Sequence, residues 1–192
     1  MNKKTIAIGV IVLVLIVAGV VWFSRTSSTM KEVKVDDEVS ESSLNVLGVP
    51  VDVKNATYSI EDREIVLVDG VVSSSVAPGS VSIVRTSVLE GPAFANVDSD
   101  GMRDAVVILR DEPGGTGIFY YVSTLLTNNG VEQSSNALLL GDRIRIKEIS
   151  VEGGVISVKI LERAEGEAMS VVPTVERIVK YRVNSGVLEV VM

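Results

Sequence analysis

From residue 51 onward, apolar and polar side chains alternate with a period of two over several short segments. In 143–147 the apolar Ile144 and Ile146 fall between cations, and 156–160 and 179–183 alternate in the same way. A β-strand points successive side chains to opposite faces, so this pattern predicts strands with one buried and one solvated face, as antiparallel sheets allow. Four more continuously apolar segments predict strands that are more deeply buried: 65–68, 81–88, 105–109 and 118–126.

Turn-forming residues separate these segments at short intervals. Asp69-Gly70 and Asn129-Gly130 are dipeptides that supply the positive φ angles of tight hairpins. No 3.6-residue apolar stripe of ordinary helical length is present, although 131–140 is compatible with one short helix. The sequence therefore predicts an all-β fold over 51–192, a single antiparallel sandwich or barrel of about eight to ten strands.

Residues 6–23 form an uninterrupted run of 18 uncharged, mainly apolar residues. As a helix this run would span about 27 Å, close to the hydrocarbon thickness of a bilayer. It is longer than the apolar stretch of a cleavable signal peptide, it ends in Trp22 and Phe23, and no Cys follows that could be acylated. These features favour one N-terminal transmembrane helix, a signal-anchor, over a signal peptide, with residues 1–5 in the cytoplasm.

The segment 24–50 is rich in Ser and charged residues and lacks a sustained apolar period, which predicts a flexible stalk. Once Lys3, Lys4 and Arg25 are removed from the count, 26–192 has 15 basic and 25 acidic residues, a net charge of −10. We expect a single-pass protein of the cell membrane that carries 51–192 as an extracytoplasmic β domain.

The amino-acid composition excludes several classes of function. The chain contains no His and no Cys, so it has no Ser-His-Asp triad, no disulfide and none of the usual zinc ligands. Its 18 Lys+Arg against 25 Asp+Glu give a net charge of −7. Binding to a phosphate backbone requires a basic surface, so we predict no nucleic-acid partner.

The stretch 96–104, Asn-Val-Asp-Ser-Asp-Gly-Met-Arg-Asp, has the ligand order of a calcium-binding loop. Side chains with oxygen stand at loop positions 1, 3, 5 and 9, glycine at position 6 permits a sharp turn, and position 7 offers its main-chain carbonyl. The alternative is an acidic, solvated turn between two strands, since these are ordinary turn residues. We predict a structural Ca²⁺ site whose ligands are Asn96, Asp98, Asp100, Met102 and Asp104.

This loop departs from an EF-hand in two respects. Position 12 is Val107, where an EF-hand requires a bidentate Glu, and the loop leads into the β pattern of 105–109 and not into a helix. It resembles instead the β-flanked Asp-x-Asp-x-Asp-Gly-x-x-Asp loops of integrin-type FG-GAP repeats, which occur in arrays, whereas this chain has one copy.

Two weaker patterns suggest other chemistry. The Gly-rich segment 113–117 lacks the Lys-Ser/Thr of a phosphate-binding loop, which favours a hairpin turn. Glu162, Glu165 and Glu167 are candidates for the paired carboxylates of a hydrolase, as are Asp98 and Asp100. Glycoside hydrolysis also needs aromatic platforms, and aromatic residues make up only 4% of the chain.

Four blocks resemble a family of bacterial cell-envelope proteins, which are uncharacterised and either lipoprotein-like or membrane-anchored. The blocks are 96–105, 113–122, 136–144 and 163–169, and the resemblance extends over about 56–191. In that family the loop usually reads Asp-x-Asn-x-Asp-Gly-x-x-Asp, so Asn96 and Asp98 exchange amide and acid while the ligand oxygens are retained. The resemblance implies an envelope location and a β domain, and no particular reaction.

Together these patterns indicate a non-catalytic module that binds an envelope protein or a wall polymer, or that has a structural role in the envelope. Two alternatives remain open: a carboxylate-dependent hydrolase of the cell envelope, and a subunit of a larger membrane complex. An enzyme would require two carboxylates that converge in a cleft with a raised pKa.

Overall fold

A computed structural model describes residues 50–191. The predicted cytoplasmic terminus, transmembrane anchor and all but the last residue of the predicted stalk lie outside the described residues. Within 50–191, no helix has the length and apolar character needed to cross a membrane.

The described residues form an all-β structure, as the alternating pattern predicts. Its strands in chain order are β1 (Thr57–Ile60), β2 (Arg63–Val66), β3 (Val71–Ser75), β4 (Ile83–Val88), β5 (Ala93–Ala95), β6 (Asp104–Glu112), β7 (Phe119–Asn128), β8 (Val131–Ser134), β9 (Leu138–Asp142), β10 (Arg145–Glu152), β11 (Val155–Glu162), β12 (Val175–Asn184) and β13 (Val187–Val190).

These strands pair in three sheets, and all pairings between the named strands are antiparallel. β1 and β2 form a separate hairpin, and β10-β11-β12-β13 form a four-stranded meander. The largest sheet has seven strands in which β4 and β5 both pair with one edge of β6, while β8 and β9 both pair with one edge of β7. The all-β antiparallel class is thus confirmed, with a third sheet that the prediction of a single sandwich or barrel does not include.

Strand β6 contributes to two hydrophobic cores because both of its faces are covered. Val106 and Ile108 pack in a core with residues of the four-stranded sheet, such as Ile156 and Ile160. Ala105, Val107 and Leu109, on the opposite face, pack in a second core with the β1–β2 hairpin. This double burial explains why 105–109 is apolar without alternation.

Polar contacts also connect the β1–β2 hairpin to the central sheet. Asp111 is almost fully buried; its carboxylate accepts hydrogen bonds from the Thr86 hydroxyl at 2.6 Å and from the Arg63 guanidinium of β2 at 2.7 Å. A buried carboxylate requires such partners, so the apolar and polar contacts fix the hairpin on the same face.

The short helix with which the sequence of 131–140 is compatible does not form, because this segment supplies β8 and the start of β9. Asn129 and Gly130 adopt positive φ angles of 50° and 79° and turn the chain back along β7. Strand β7 is ten residues long and its free edge accepts β8 and then β9 in succession. Pairing with this long edge therefore determines the conformation of 131–140, in place of the helix that its sequence also allows.

Candidate metal site

The loop 96–103 joins β5 to β6, which pair with each other through Ala95 and Asp104. The loop is therefore the closed end of a β-hairpin, as the β pattern after the Asp-rich stretch predicts. Ser99 and Gly101 have φ angles of 68° and 89°, and these two left-handed residues produce the tight turn at the hairpin end.

Asp104 is fully buried at the first position of β6. Its Oδ2 accepts a hydrogen bond from the main-chain N–H of Val97 at 2.9 Å, and its Oδ1 accepts one from the N–H of Thr127 at 2.9 Å. Burial raises the pKa of Asp104, and these two N–H donors oppose the rise. One carboxylate thus connects the start of the loop to the end of β7.

In the outer part of the loop, the side chains of Asp98 and Asp100 each accept a hydrogen bond from the main-chain N–H two residues further along. Asp98 Oδ1 accepts a hydrogen bond from the N–H of Asp100 at 3.1 Å, and Asp100 Oδ1 accepts one from the N–H of Met102 at 2.7 Å. Burial raises the pKa of Asp98, and the negative charge of Asp100 raises it further. Asp98 is half-buried and Asp100 is exposed, so the acidic cluster remains open to solvent.

The three carboxylates converge, with ligand oxygens that lie within 4.8 Å of one another. Oxygens that share one Ca²⁺ at its usual bond length can be separated by at most about 4.6–5.2 Å. The cluster of Asp98, Asp100 and Asp104 could therefore hold a metal ion. Each oxygen that accepts a hydrogen bond retains a second lone pair for this purpose.

The other two predicted ligands occupy the same loop. The Asn96 side-chain oxygen is buried and accepts no hydrogen bond from any described residue, so it retains its full ligating capacity. Met102 lies in the loop two residues before Asp104, and its N–H is bound by Asp100. The three carboxylates are the part of the predicted set that the structure brings together directly.

A turn of the four-stranded sheet lies against this loop. Gly154, between β10 and β11, has a φ of +73°, and a Cβ on this residue would stand 3.4 Å from the Val97 carbonyl oxygen and 3.7 Å from the Ser99 hydroxyl. The Gly153-Gly154 pair signals a turn in the sequence, but nothing local predicts its contact with the acidic loop. The sequence likewise does not predict the hydrogen bond between Asp104 and Thr127, because this bond depends on the alignment of β6 with β7.

The remaining candidate residues occupy structural positions. Glu162 accepts a hydrogen bond from the Arg177 guanidinium at 2.8 Å, an ion pair between β11 and β12. Glu165 is exposed in the loop that follows β11, and Glu167 accepts the N–H of Ala164 at 2.9 Å in the same loop. The Gly-rich 113–117 forms the connection from β6 to β7, as predicted, with Gly114 at a φ of +87°.

No known protein family, curated protein or solved structure matches the chain.

Proposed function

We propose that residues 51–192 are a non-catalytic β domain whose loop 96–104 binds Ca²⁺ as a structural ion. The observation that supports this proposal is the convergence of the carboxylates of Asp98, Asp100 and Asp104 within 4.8 Å. Burial makes the charged forms of Asp98 and Asp104 costly, as the raised pKa of each side chain indicates. A divalent cation between them would replace mutual repulsion with attraction.

The donor set favours calcium over other divalent ions. All five proposed ligands donate oxygen, and the chain has neither His nor Cys to attract a softer transition metal. Mg²⁺ demands near-ideal octahedral geometry, whereas Ca²⁺ accepts the irregular oxygen arrangement of a turn-rich loop. Extracellular calcium modules function with dissociation constants of about 10⁻⁴–10⁻³ M, so the neutral Asn96 ligand is acceptable.

The ion would act on stability and not on a substrate. Asp104 already connects the loop to Thr127 at the end of β7, and the adjoining β6 residues belong to both cores. An ion on the outer carboxylates would order the loop around this buried connection. The alternative of a carboxylate hydrolase has less support. Glu162 is paired with Arg177. Asp98 and Asp104 do converge and have raised pKa values, but they lie at the solvent-open end of a hairpin and not in a cleft.

We further propose that the domain lies outside the cytoplasm on a membrane anchor, where it binds an envelope protein or a wall polymer or joins a larger membrane complex. This part rests on the apolar run 6–23 and on the stalk composition of 24–50. An extracytoplasmic position would also supply the millimolar calcium that a weak site requires.

Thermal unfolding of the full-length chain in detergent micelles, with and without calcium, tests the ion site. At a calcium concentration about ten times the dissociation constant, binding contributes about 1.4 kcal/mol, which corresponds to a rise in Tm of about 3–6 °C for a domain of this size. Magnesium at the same concentration is expected to give a smaller rise.

The double variant Asp98→Asn/Asp100→Asn is expected to lose the calcium-dependent rise in Tm. Its matched control is Asp62→Asn/Glu165→Gln, which removes two exposed carboxylates outside the loop and should keep the full rise. A wild-type Tm that does not change at about 10 mM calcium, ten times the weakest expected dissociation constant, would contradict the proposal. An equal loss in both double variants would show a general charge effect instead of a site.

A further inference from the structure

A cavity of about 650 Å³ opens between β10 and the segment that joins β4 to β5. Buried Ile108 and Ile144 form its inner part, and partly buried Leu89, Tyr120 and Ile146 line its sides. All five residues belong to the core between the central and four-stranded sheets or pack against it. This core therefore forms the apolar part of the wall of a cavity at one edge of the domain.

Local backbone features keep this edge open. β10 is an edge strand of its sheet, and a bulge between Ile146 and Glu148 interrupts its pairing with β11. On the opposite side, the segment between β4 and β5 contains Gly91 at a φ of +86° followed by Pro92, which has no N–H for a ladder. No strand pairing is present between β10 and this segment, and the cavity lies between them.

The acidic and basic residues that line the cavity differ in whether they form ion pairs. Glu90 is paired with Lys54 at 2.8 Å, and Glu148 is paired with Lys159 at 3.3 Å. Arg145 and Lys147 also line the cavity and are exposed, and neither forms an ion pair or a side-chain hydrogen bond with any residue in 50–191. Both acidic side chains of the lining therefore have a lysine partner, whereas Arg145 and Lys147 have no partner among residues 50–191.

The positive surface continues beyond the cavity. A neighbouring depression of about 340 Å³ shares Tyr120, Ile144 and Arg145 with it and adds Arg163. The Arg163 guanidinium donates to the main-chain carbonyls of Val171 and Arg143, contacts that position it without neutralising its charge. Arg145, Lys147 and Arg163 therefore lie beside a cavity with a partly apolar wall, in a chain whose net charge is −7.

We propose that this cavity binds a single-chain anionic amphiphile, a fatty-acid-like molecule. Its alkyl chain would pack on Leu89, Ile108 and Ile146, and its anionic head would lie beside Arg145 and Lys147. The volume lies within the range of about 300–1,000 Å³ that is typical of small-ligand pockets. This site is separate from the acidic loop, because none of the proposed calcium ligands lines the cavity.

Photoaffinity labelling of the full-length chain in zwitterionic lipid nanodiscs tests the proposal, with a decanoate that carries a diazirine in its alkyl chain. After irradiation, peptide mapping by mass spectrometry is expected to place saturable label on residues 144–149 and 89–91. Competition by unlabelled hexanoate, octanoate and decanoate should strengthen about fifteenfold for every two methylenes. Decyltrimethylammonium and decyl maltoside should compete at least about tenfold less well than decanoate, because they cannot pair with two cations.

Two variants with a matched control examine the two parts of the cavity. Arg145→Gln/Lys147→Gln should weaken decanoate competition about tenfold, whereas Lys180→Gln/Arg182→Gln, which removes two exposed cations from β12 of the same sheet, should leave it unchanged. Leu89→Trp should fill the cavity and reduce labelling while the cations remain.

Label that spreads over the surface without saturation would overturn the proposal. Equal competition by the cationic or neutral decyl compounds would overturn the anionic specificity, and would point to a general apolar groove that could equally accept an extended peptide. Labelling that stays unchanged in both the Leu89 and the cation variants would place the site elsewhere.

Discussion

Replacement of Asp104 by Ala is the most informative single perturbation of the acidic loop. The carboxylate is fully buried and accepts two main-chain hydrogen bonds, from Val97 and from Thr127, both at 2.9 Å. Ala leaves both N–H groups in a buried position without an acceptor, and each orphaned donor costs about 1–3 kcal/mol. Removal of the buried charge recovers part of this cost, because burial raises the pKa of Asp104. We expect a net loss of about 2–4 kcal/mol in the free energy of unfolding.

The matched variant is Asp98→Ala, which removes a carboxylate of the same cluster from a half-exposed turn. Asp98 accepts one N–H, that of Asp100 at 3.1 Å, and water can replace this bond. The expected loss is therefore about 0.5–1 kcal/mol. Both variants lose one carboxylate of the same cluster. The difference between their losses in the free energy of unfolding therefore measures the contribution of the buried hydrogen bonds of Asp104.

Urea unfolding in the presence of a calcium chelator, followed by far-ultraviolet circular dichroism, measures both values without a contribution from bound metal. The slope with urea should stay constant, so that a shift of the midpoint reports stability alone. If Asp104→Ala and Asp98→Ala lose the same free energy within about 0.5 kcal/mol, the reasoning is refuted. The hydrogen bonds to Val97 and Thr127 would then contribute nothing that solvent does not supply.

Two further predictions concern other parts of the domain. Burial raises the pKa of Tyr181 to about 12, so protons bind the folded state more tightly than the unfolded state and stability is lost as the pH rises from about 10 through about 12. The absorbance at 295 nm of the wild type minus that of Tyr181→Phe should show Tyr181 ionising at about pH 12 in the folded domain, and Tyr181→Phe should lose less stability between pH 10 and 12 than the wild type. Gly153→Ala and Gly154→Ala should have similar costs of about 1–2 kcal/mol in thermal unfolding, since both φ angles are positive and a Cβ at 154 would meet the Val97 carbonyl only at an ordinary van der Waals distance of 3.4 Å. A clearly larger cost at 154 would show that the turn is packed against the acidic loop too tightly for a methyl group.

The alternating pattern predicts much of the fold because its cause is local. In 156–160, Ile156, Val158 and Ile160 are buried and the residues between them are not, as the period of two requires. The turn dipeptides Asp69-Gly70 and Asn129-Gly130 fall between strands, since their positive φ angles are a property of these residue types.

Elements that depend on distant partners are less visible in the sequence. β5 has three residues, too few for a detectable period, and exists because the edge of β6 is available beside it. β8 and β9 occupy the segment where a helix is compatible with the sequence, because β7 extends far enough to pair with both. The third sheet escapes prediction for the same reason, since alternation alone does not say which strands pair.

The candidate metal site also has features that are local in the sequence and one feature that depends on a distant strand. The order of Asp98, Asp100 and Asp104 is local, and their convergence follows from the turn conformations at Ser99 and Gly101. The role of Asp104 as a connection to β7 is not local, because Thr127 lies 23 residues away and meets it only through the register of β6 and β7. Sequence reasoning therefore identifies the three carboxylates that converge, and it overlooks the structural reason that one of them is buried.

The position of Asp104 also determines how far an effect at the loop can extend. Asp104 is the first residue of β6, and the next residues along this strand alternate between the core with the four-stranded sheet and the core with the β1–β2 hairpin. A change in the order of the loop therefore acts on the strand that both cores share. A cation bound in the loop would then stabilise both cores together. We therefore expect removal of the cation to lower the Tm of a single cooperative unfolding transition. Local fraying of the loop, with the Tm of the domain unchanged, is not expected.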